Sequence, residues 1–354
     1  VPTLLPGDAA GTHTLRVRDA VRALGFQSEI FVEDVHRDLE DEAHHFKEFA
    51  TYAKGSVIMY QLAIGSVLAD YVLGRSEPLV VNYHNLTPSD YYRRWDASVV
   101  NALDWGRAQL RVLADRAALA ITPSAFNEAE LIDNGYTRTA VVPILIDVGQ
   151  MRPQPDPHTA ASLDAQRLKG GADILFVGRL APNKAQEDLV KALYAYRRAF
   201  DPDARLRLIG RPAAASYGRA LSEFIAELGL SGAVDIIDWA TEAQMAAHYE
   251  CADVVLSASE HEGFWVPALE AMHHGVPIVA YAAAAVPDTL GAAGLLLESK
   301  APSVMAAAVH RVICDPALRS YLVDQGRQRL SELTLEASTE RLLDAIGPLL
   351  GLAR

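Results

Sequence analysis

Along most of the chain, short uninterrupted apolar runs alternate with longer stretches whose apolar residues recur every three or four positions. The short runs predict strands at 57–60, 79–83, 118–122 and 140–144, then at 173–178, 205–210, 234–238, 253–257, 277–281 and 294–297. Amphipathic segments of ten or more residues between them, such as 97–117, 184–200 and 214–228, predict helices. Strands separated by helices need crossover connections, and right-handed crossovers build parallel sheets covered on both faces. The rhythm breaks once, at 149–171, where Pro153, Pro155, Pro157 and Gly170-Gly171 accompany little apolar periodicity. The pattern implies an α/β chain of two doubly wound, Rossmann-like domains, at 1–150 and 172–334, with a linker at 151–171. After residue 301 it is helical, and the last stretch, 335–354, is a C-terminal helix free to pack back on the N-terminal domain. Sheets of this kind hold ligands at their carboxyl edges, so a central cleft faced by both domains is the expected site.

With 354 residues, each domain is large enough to bury its own core. The net charge of −13 argues against a general binder of nucleic acid or anionic membranes, but leaves room for a local basic site. Cys251 and Cys314 lie in apolar or helical surroundings and read as two buried thiols in a reducing cytoplasm. No apolar run reaches the ~18–20 residues of a spanning helix. No signal peptide is apparent; Val1-Pro2-Thr3-Leu4-Leu5 reads as the tail of a first strand that starts a few residues upstream.

The most informative stretch is Glu262-Gly263-Phe264-Trp265-Val266-Pro267-Ala268-Leu269-Glu270. It follows the strand-like run at 253–257 and enters a short helix that Gly275-Val276-Pro277 closes. Pro267 suits a first helical turn, having no N–H to leave unpaired. Side chains on a helix lean toward its N-terminus, which directs Glu270 to the end where free N–H groups and the positive dipole favour a phosphate. A carboxylate beside an anion site makes sense when it grips something neutral, such as a pair of hydroxyls. A sugar nucleotide has both parts.

A second cluster opens the second half. The strand at 173–178 ends in Gly178-Arg179, and Lys184 follows at a helix start. Arg grips phosphate oxygens in pairs and Lys acts as a point charge, while two solvated cations in a loop are the plainer alternative. In a doubly wound sheet both cations share the carboxyl edge with the 262–270 segment, which favours phosphate. Arg211, just past the strand at 205–210, belongs to the same set.

Together these residues resemble a known family. Ser259 to Ala280, with Gly178-Arg179, Lys184, Ala252-Asp253 and Val286-Pro287-Asp288-Thr289-Leu290-Gly291, is similar to the signature of retaining, nucleotide-sugar-dependent glycosyltransferases of family 4, which have the GT-B architecture. The likeness is strong over about 173–297 and weaker before it. It implies that Arg179 and Lys184 hold the donor diphosphate, that Glu270 binds the ribose, and that Glu262 bonds the donor sugar beside Gly263, Phe264 and Trp265. It implies no cofactor and no metal, only a nucleoside diphosphate-sugar, UDP- or GDP-linked. Two positions depart from the pattern. Trp265 stands where the family has a small residue, and Ala268 where a Leu is common. The indole either reshapes the donor pocket or turns away and packs.

In the first half, His84 ends the strand at 79–83. A lone His there is more often structural, but similar enzymes place a His at this point against the donor sugar. The loop Pro6 to His13 opens a helix where the family has glycines, so Gly11 and Thr12 are candidates although no Gly-Gly pair is present. Ser124 has a similar strand-to-helix setting and reads as an N-cap. Glu262 and Glu270 do not read as a glycosidase pair, which needs carboxyls ~5–5.5 Å apart. Arg179, Lys184 and the helix N-terminus replace an Asp-rich metal cluster. The expected reaction is metal-independent sugar transfer to an acceptor hydroxyl with retention, the acceptor being a sugar, lipid-linked sugar or metabolite. Arg93, Arg94, Arg107, Arg111 and Arg116, with Tyr91, Tyr92 and Trp95, suggest either a peripheral membrane contact or solvated helix faces. A nucleotide-sugar epimerase or phosphorylase of the same architecture, or a non-catalytic nucleotide-sugar binder, are the rival readings.

Overall fold

The computed structural model describes residues 1–52, 55–147, 149 and 153–352. The chain divides into two compact units. The first takes Val1–Arg93, Ala97–Asp147 and the stretch from Leu333 onward; the second takes Arg94–Asp96 and the stretch that ends at Glu332.

In the first unit, β1 (Thr3–Leu4) pairs with β3 (Asp34–Val35), and β2 (Phe31–Val32) with β4 (His44–His45). A four-stranded parallel sheet runs β5 (Ile58–Leu62), β6 (Leu79–Tyr83), β7 (Ala117–Thr122) and β8 (Thr139–Val141) in that order. The predicted strand at 140–144 is thus shorter and earlier. Helices α1 (Ala9–Ala23), α2 (Val67–Leu73), α3 (Ala97–Ala114) and α4 (Ala125–Asp133) connect the strands. All of β6 is buried, as its continuous apolar run requires of a strand covered on both faces. Val17 of α1 joins Val80, Leu119 and Ile121 in one cluster. Arg107 bonds the Glu130 carboxylate and the Leu86 carbonyl, and Arg116 the carbonyls of Arg75 and Glu77. Arg93, Arg94 and Arg111 are exposed, and Tyr92 is buried.

The second unit begins differently from its sequence reading. The predicted linker at 151–171, whose first two residues lie outside the described ones, contains a helix, α5 (Pro157–Arg167). Asp156 caps it, its carboxylate accepting from the Thr159 N–H at 2.8 Å, and Pro157 opens it with the φ a first turn needs. Leu163 buries against Ala247 and Cys251, so one apolar contact holds a helix whose periodicity is otherwise weak. Six parallel strands follow, β9 (Asp173–Val177), β10 (Arg205–Ile209), β11 (Val234–Ile237), β12 (Val254–Ser257), β13 (Ile278–Tyr281) and β14 (Gly294–Leu297). Their order across the sheet is β11-β10-β9-β12-β13-β14, so the direction of winding reverses between β9 and β12.

Helices α6 (Gln186–Ala199), α7 (Ala215–Glu227), α8 (Glu242–Cys251), α9 (Val266–His273), α10 (Val286–Leu290), α11 (Pro302–Cys314) and α12 (Pro316–Glu332) cover the two faces. Strand β9 shows how. Ile174 and Phe176 point into a cluster with Leu189, Leu193, Met305 and Val309, whereas Leu175 points into one with Tyr249, Ala268, Met272 and Val286. The period of two sends alternate residues to opposite helical layers. Cys251 is buried, but Cys314, at the C-terminal end of α11, is exposed, against the expectation of two buried thiols. The chain then enters α13 (Leu335–Ile346), whose Leu342 and Ile346 are buried with Val80 and Ile121 in the first unit. Among the described residues no helix is long and apolar enough to cross a membrane.

At the amino end of β9 lies a buried charge cluster. Asp173, 1% exposed, accepts from Arg207 Nη1 at 2.9 Å and Arg205 Nε at 3.2 Å. Replacing Asp173 with Ala leaves a buried guanidinium uncompensated. The expected cost is about 3–5 kcal/mol. The corresponding drop in Tm is roughly 6–20 °C, measurable by calorimetry; a melt like that of the unsubstituted protein would contradict the assignment.

Candidate functional site

A parallel sheet leaves a crevice at its carboxyl edge where the winding reverses, because the crossovers on either side lead away to opposite faces. In the second unit that point is the gap between the ends of β9 and β12. The loop after β9 carries Gly178, Arg179 and Lys184. The loop after β12 carries Glu262 to Trp265.

Gly178 has φ +148° and its neighbour Gly210, past β10, has φ +149°. A Cβ on Gly210 would sit 2.1 Å from the Gly178 carbonyl oxygen. Only glycine permits the approach, and it keeps the two loops in contact beyond the strands: the Leu180 N–H donates to the Arg211 carbonyl at 2.9 Å. Arg179 and Arg211 are exposed on these adjoining loops, and neither side chain has a partner among the described residues.

Lys184 ends a short 3-10 turn, Pro182–Lys184, and its ammonium is engaged. It lies 2.6 Å from Glu262 Oε1 and donates to the His261 carbonyl at 3.2 Å. Both side chains of the pair are largely buried, 16% and 8% exposed. Asn183 Nδ2 donates to the same carbonyl at 3.0 Å, and the Glu260 N–H donates to the Asn183 carbonyl at 2.8 Å. Backbone and side chains thus join the two loops. An ammonium has three N–H donors, so one remains for a ligand; Glu262 likewise keeps Oε2.

Glu262 leads into α9. Trp265 is its N-cap and has φ 65° and ψ 67°, a left-handed conformation that a bulky residue rarely adopts. Its indole is buried, 6% exposed, in the cluster that holds Leu175, Ile209 and Ala268. Of the two readings for this residue, the side chain packs in the core. The N–H groups of Phe264, Trp265 and Val266 have no partner among the described residues, and Pro267 has no N–H. A helix start of this kind favours an anion. The Phe264 carbonyl is held by the Thr289 hydroxyl on α10.

Glu270 is on the second turn of α9, half-buried, and its Oε2 accepts from the Tyr249 hydroxyl at 2.7 Å. Burial raises the Glu270 carboxyl above its usual range; the Tyr249 hydrogen bond acts the other way, and the charge of Glu242 adds to the rise. Tyr249, Asn183 and the His261 carbonyl are absent from the sequence reading. Each makes a contact with a residue many positions away, and no local spacing announces that.

The first unit carries the remaining candidates. His84 follows β6, and its Nε2 lies 2.5 Å from Gln61 Oε1 at the end of β5. Since Oε1 only accepts, Nε2 carries the proton and Nδ1 is the acceptor. Burial lowers the His84 pKa to about 4, so the ring is neutral at neutral pH. His13, 1% exposed, stands edge-on to His84 at 5.4 Å and accepts the Leu145 N–H at 2.9 Å. Gly11 packs on the Leu5 carbonyl, and its N–H goes to the Asp8 carboxylate, the N-cap of α1. The Thr12 N–H donates to the Asp8 carbonyl. Both N–H groups of that loop are therefore engaged within α1. Ser124 is the N-cap of α4, accepting from the Asn127 N–H. A cavity of about 750 Å³, lined by Phe31, Phe46, Tyr52, Arg18 and Glu29 among others, holds none of the candidate residues. Among the described residues no group of three or more His, Cys, Asp or Glu is placed to hold a metal.

Residues 171–315 match the family model described as glycosyl transferases group 1. The chain is 29% identical over 255 residues to the D-inositol 3-phosphate glycosyltransferase of Salinispora arenicola, a match covering 68% of this chain and 56% of that protein. It is 30% identical over 251 residues to the enzyme of that name from Geodermatophilus obscurus, covering 68% and 54%. The chain thus spans little more than half the length of these relatives. Among solved structures it is similar to sucrose-phosphate synthase from Thermosynechococcus elongatus, with TM-score 0.77, 19% identity and 99% and 96% of the two chains covered. It is equally similar to Anabaena HepE in complex with UDP-glucose, with TM-score 0.77, 17% identity and 98% of each chain covered. Residues 171–315 thus resemble the glycosyl transferases group 1 family, and the fold is that of the GT-B glycosyltransferases.

Proposed function

We propose that this chain transfers a sugar from a nucleoside diphosphate-sugar, UDP- or GDP-linked, to an acceptor hydroxyl, with retention at the anomeric carbon and without a metal ion. The observation that carries this reading is the arrangement at the reversal point of the second unit's sheet. Two carboxylates, Glu262 and Glu270, each have one oxygen tied within the protein, beside a helix start with no side-chain cap and Arg179, which has no side-chain partner among the described residues. A carboxylate with one free oxygen accepts from a hydroxyl, and the cations and N–H groups accept an anion. A diphosphate flanked by two sugars presents that sequence of groups. The complex of HepE with UDP-glucose supports a UDP-linked donor, and the relatives named for D-inositol 3-phosphate support a polyol or sugar-like acceptor.

The chemistry follows from charge. As the bond to the anomeric carbon breaks, the leaving diphosphate gains negative charge, and Arg179, the remaining Lys184 N–H and the start of α9 stabilise it electrostatically. These groups supply the positive charge that a divalent ion supplies elsewhere. The charge of Glu262 is shared with Lys184, which makes it a poor nucleophile and suits it to holding a sugar hydroxyl. We therefore favour attack of the acceptor on the same face as the departing diphosphate, whose oxygen takes the acceptor proton.

Arg179→Ala and Lys184→Ala should each lower kcat by about 10²–10³-fold, in line with loss of a transition-state donor. Lys184→Ala also strands a buried carboxylate, so its melting curve is measured alongside; full transfer by both variants would overturn the phosphate assignment. Proton NMR of the product should show the donor's anomeric configuration, and transfer should persist in excess EDTA. An inverted product or loss of transfer on chelation would refute retention or metal independence respectively. Tight donor binding with no product across polyol and sugar acceptors would favour the non-catalytic binder instead.

A further inference from the structure

Glu270 does not stand alone in its pocket. Tyr249, on α8 and 1% exposed, reaches it from the neighbouring helix with an O–H to Oε2 distance of 2.7 Å. The same hydroxyl lies 3.3 Å from the Pro267 carbonyl, but a phenol has one proton, and the shorter bond to a charged acceptor is the stronger. The ring is fixed as well. It stacks on His274, just past the end of α9, with centroids 5.1 Å apart and planes within 6°. Tyr249 thus spans the start, middle and end of α9. Glu270 Oε1 has no partner among the described residues.

We propose that Tyr249 is a positioning residue for the nucleotide: it pins one oxygen of the Glu270 carboxylate and presents the other, ionised, to a sugar hydroxyl of the nucleotide. The proposal rests on the ribose reading of Glu270 above. Its physical content is that burial and the charge of Glu242 both favour protonation of Glu270, and Tyr249 opposes them. Burial and the Glu270 charge in turn hold the phenol far above its usual range, so Tyr249 stays a donor. A protonated Glu270 can still donate a hydrogen bond, but it loses the charge-assisted acceptor that a hydroxyl prefers. Nucleotide affinity should therefore fall as pH drops through the Glu270 midpoint, and removing the Tyr249 hydroxyl should move that fall to higher pH. The other groups facing this corner are His273 and His274, whose rings meet edge-on at 5.3 Å. On protonation they would favour the carboxylate, which is the opposite effect.

The variant is Tyr249→Phe, which keeps the ring and its stacking, compared with Glu270→Gln. Carbon-13 titration of labelled glutamate side chains, with Glu270→Gln to assign the signal, reads the carboxyl directly and needs no ligand. The Glu270 midpoint should rise in Tyr249→Phe; an unchanged midpoint overturns the proposal. Calorimetry with UDP and with GDP, over roughly pH 5 to 8, reads the consequence. Tyr249→Phe should bind on the order of tenfold more weakly at neutral pH, with its acid limb displaced upward. Binding indistinguishable from the unsubstituted protein at every pH would also overturn it. If Glu270→Gln binds both nucleotides as the unsubstituted protein does, the ribose reading fails, while a raised midpoint in Tyr249→Phe still establishes the pinning.

Discussion

The ion pair between Lys184 and Glu262 is the contact on which the candidate site depends. It closes the gap that the sheet's reversal opens between β9 and β12, and it is largely buried. A buried pair of this kind is weak evidence of net stabilisation, because desolvating both charges costs about as much as their attraction returns; losing one partner is what costs about 3–5 kcal/mol. Its value here is register. The Glu260 N–H, the His261 carbonyl and the Asn183 amide join the same two loops, and the Ala285 N–H donates to the Glu262 carbonyl at 3.3 Å. Lys300 adds a further tie, bonding Glu260 and, at 2.7 Å, Asp188 on α6. The start of α9 cannot move without breaking several of these bonds together.

Trp265 shows how the same segment balances strain against packing. A left-handed backbone costs an ordinary residue about 1–2 kcal/mol. Fully burying an aromatic side chain contributes about 1.5–3 kcal/mol. The indole lies in the cluster with Ala268, which is wholly buried. A small residue at 268 fits beside a large one at 265, so the two departures from the family pattern describe one packing solution. The backbone turn leaves the N–H groups of Phe264, Trp265 and Val266 without a partner among the described residues. The indole face of Trp265 is committed to core packing.

Glu262 and Glu270 are eight positions apart and follow one design. Each gives one oxygen to a protein donor, an ammonium in one case and a phenol in the other, and keeps one. The partner decides the chemistry. Lys184 neutralises Glu262, whereas Tyr249 only moderates the effect of burial on Glu270. His84 in the first unit is treated alike, with Gln61 holding one ring nitrogen. In all three the second partner orients the first and leaves a defined acceptor.

Much of this protein was legible in its amino-acid sequence because periodicity and local chemistry are local properties. The alternation of buried runs and amphipathic stretches located all six strands of the second unit to within a residue or two, since a strand buried on both faces must read as an apolar run. The first-turn place of Pro267 and the Ser124 cap follow from backbone requirements visible within a few residues. The helix at 157–167 was missed although Asp156-Pro157 signals its start, because a single buried leucine holds it and one leucine makes no period. Exposure of Cys314 was misjudged for a similar reason: a helix end looks like a helix interior until its neighbours are known. What no spacing along the chain contains is which side chain meets which across the sheet. That Lys184 takes Glu262, that Tyr249 takes Glu270, and that Trp265 turns into the core were decided by the tertiary structure alone. Strand order sets the distance between residues far apart in sequence, and burial then fixes which polar groups must find each other.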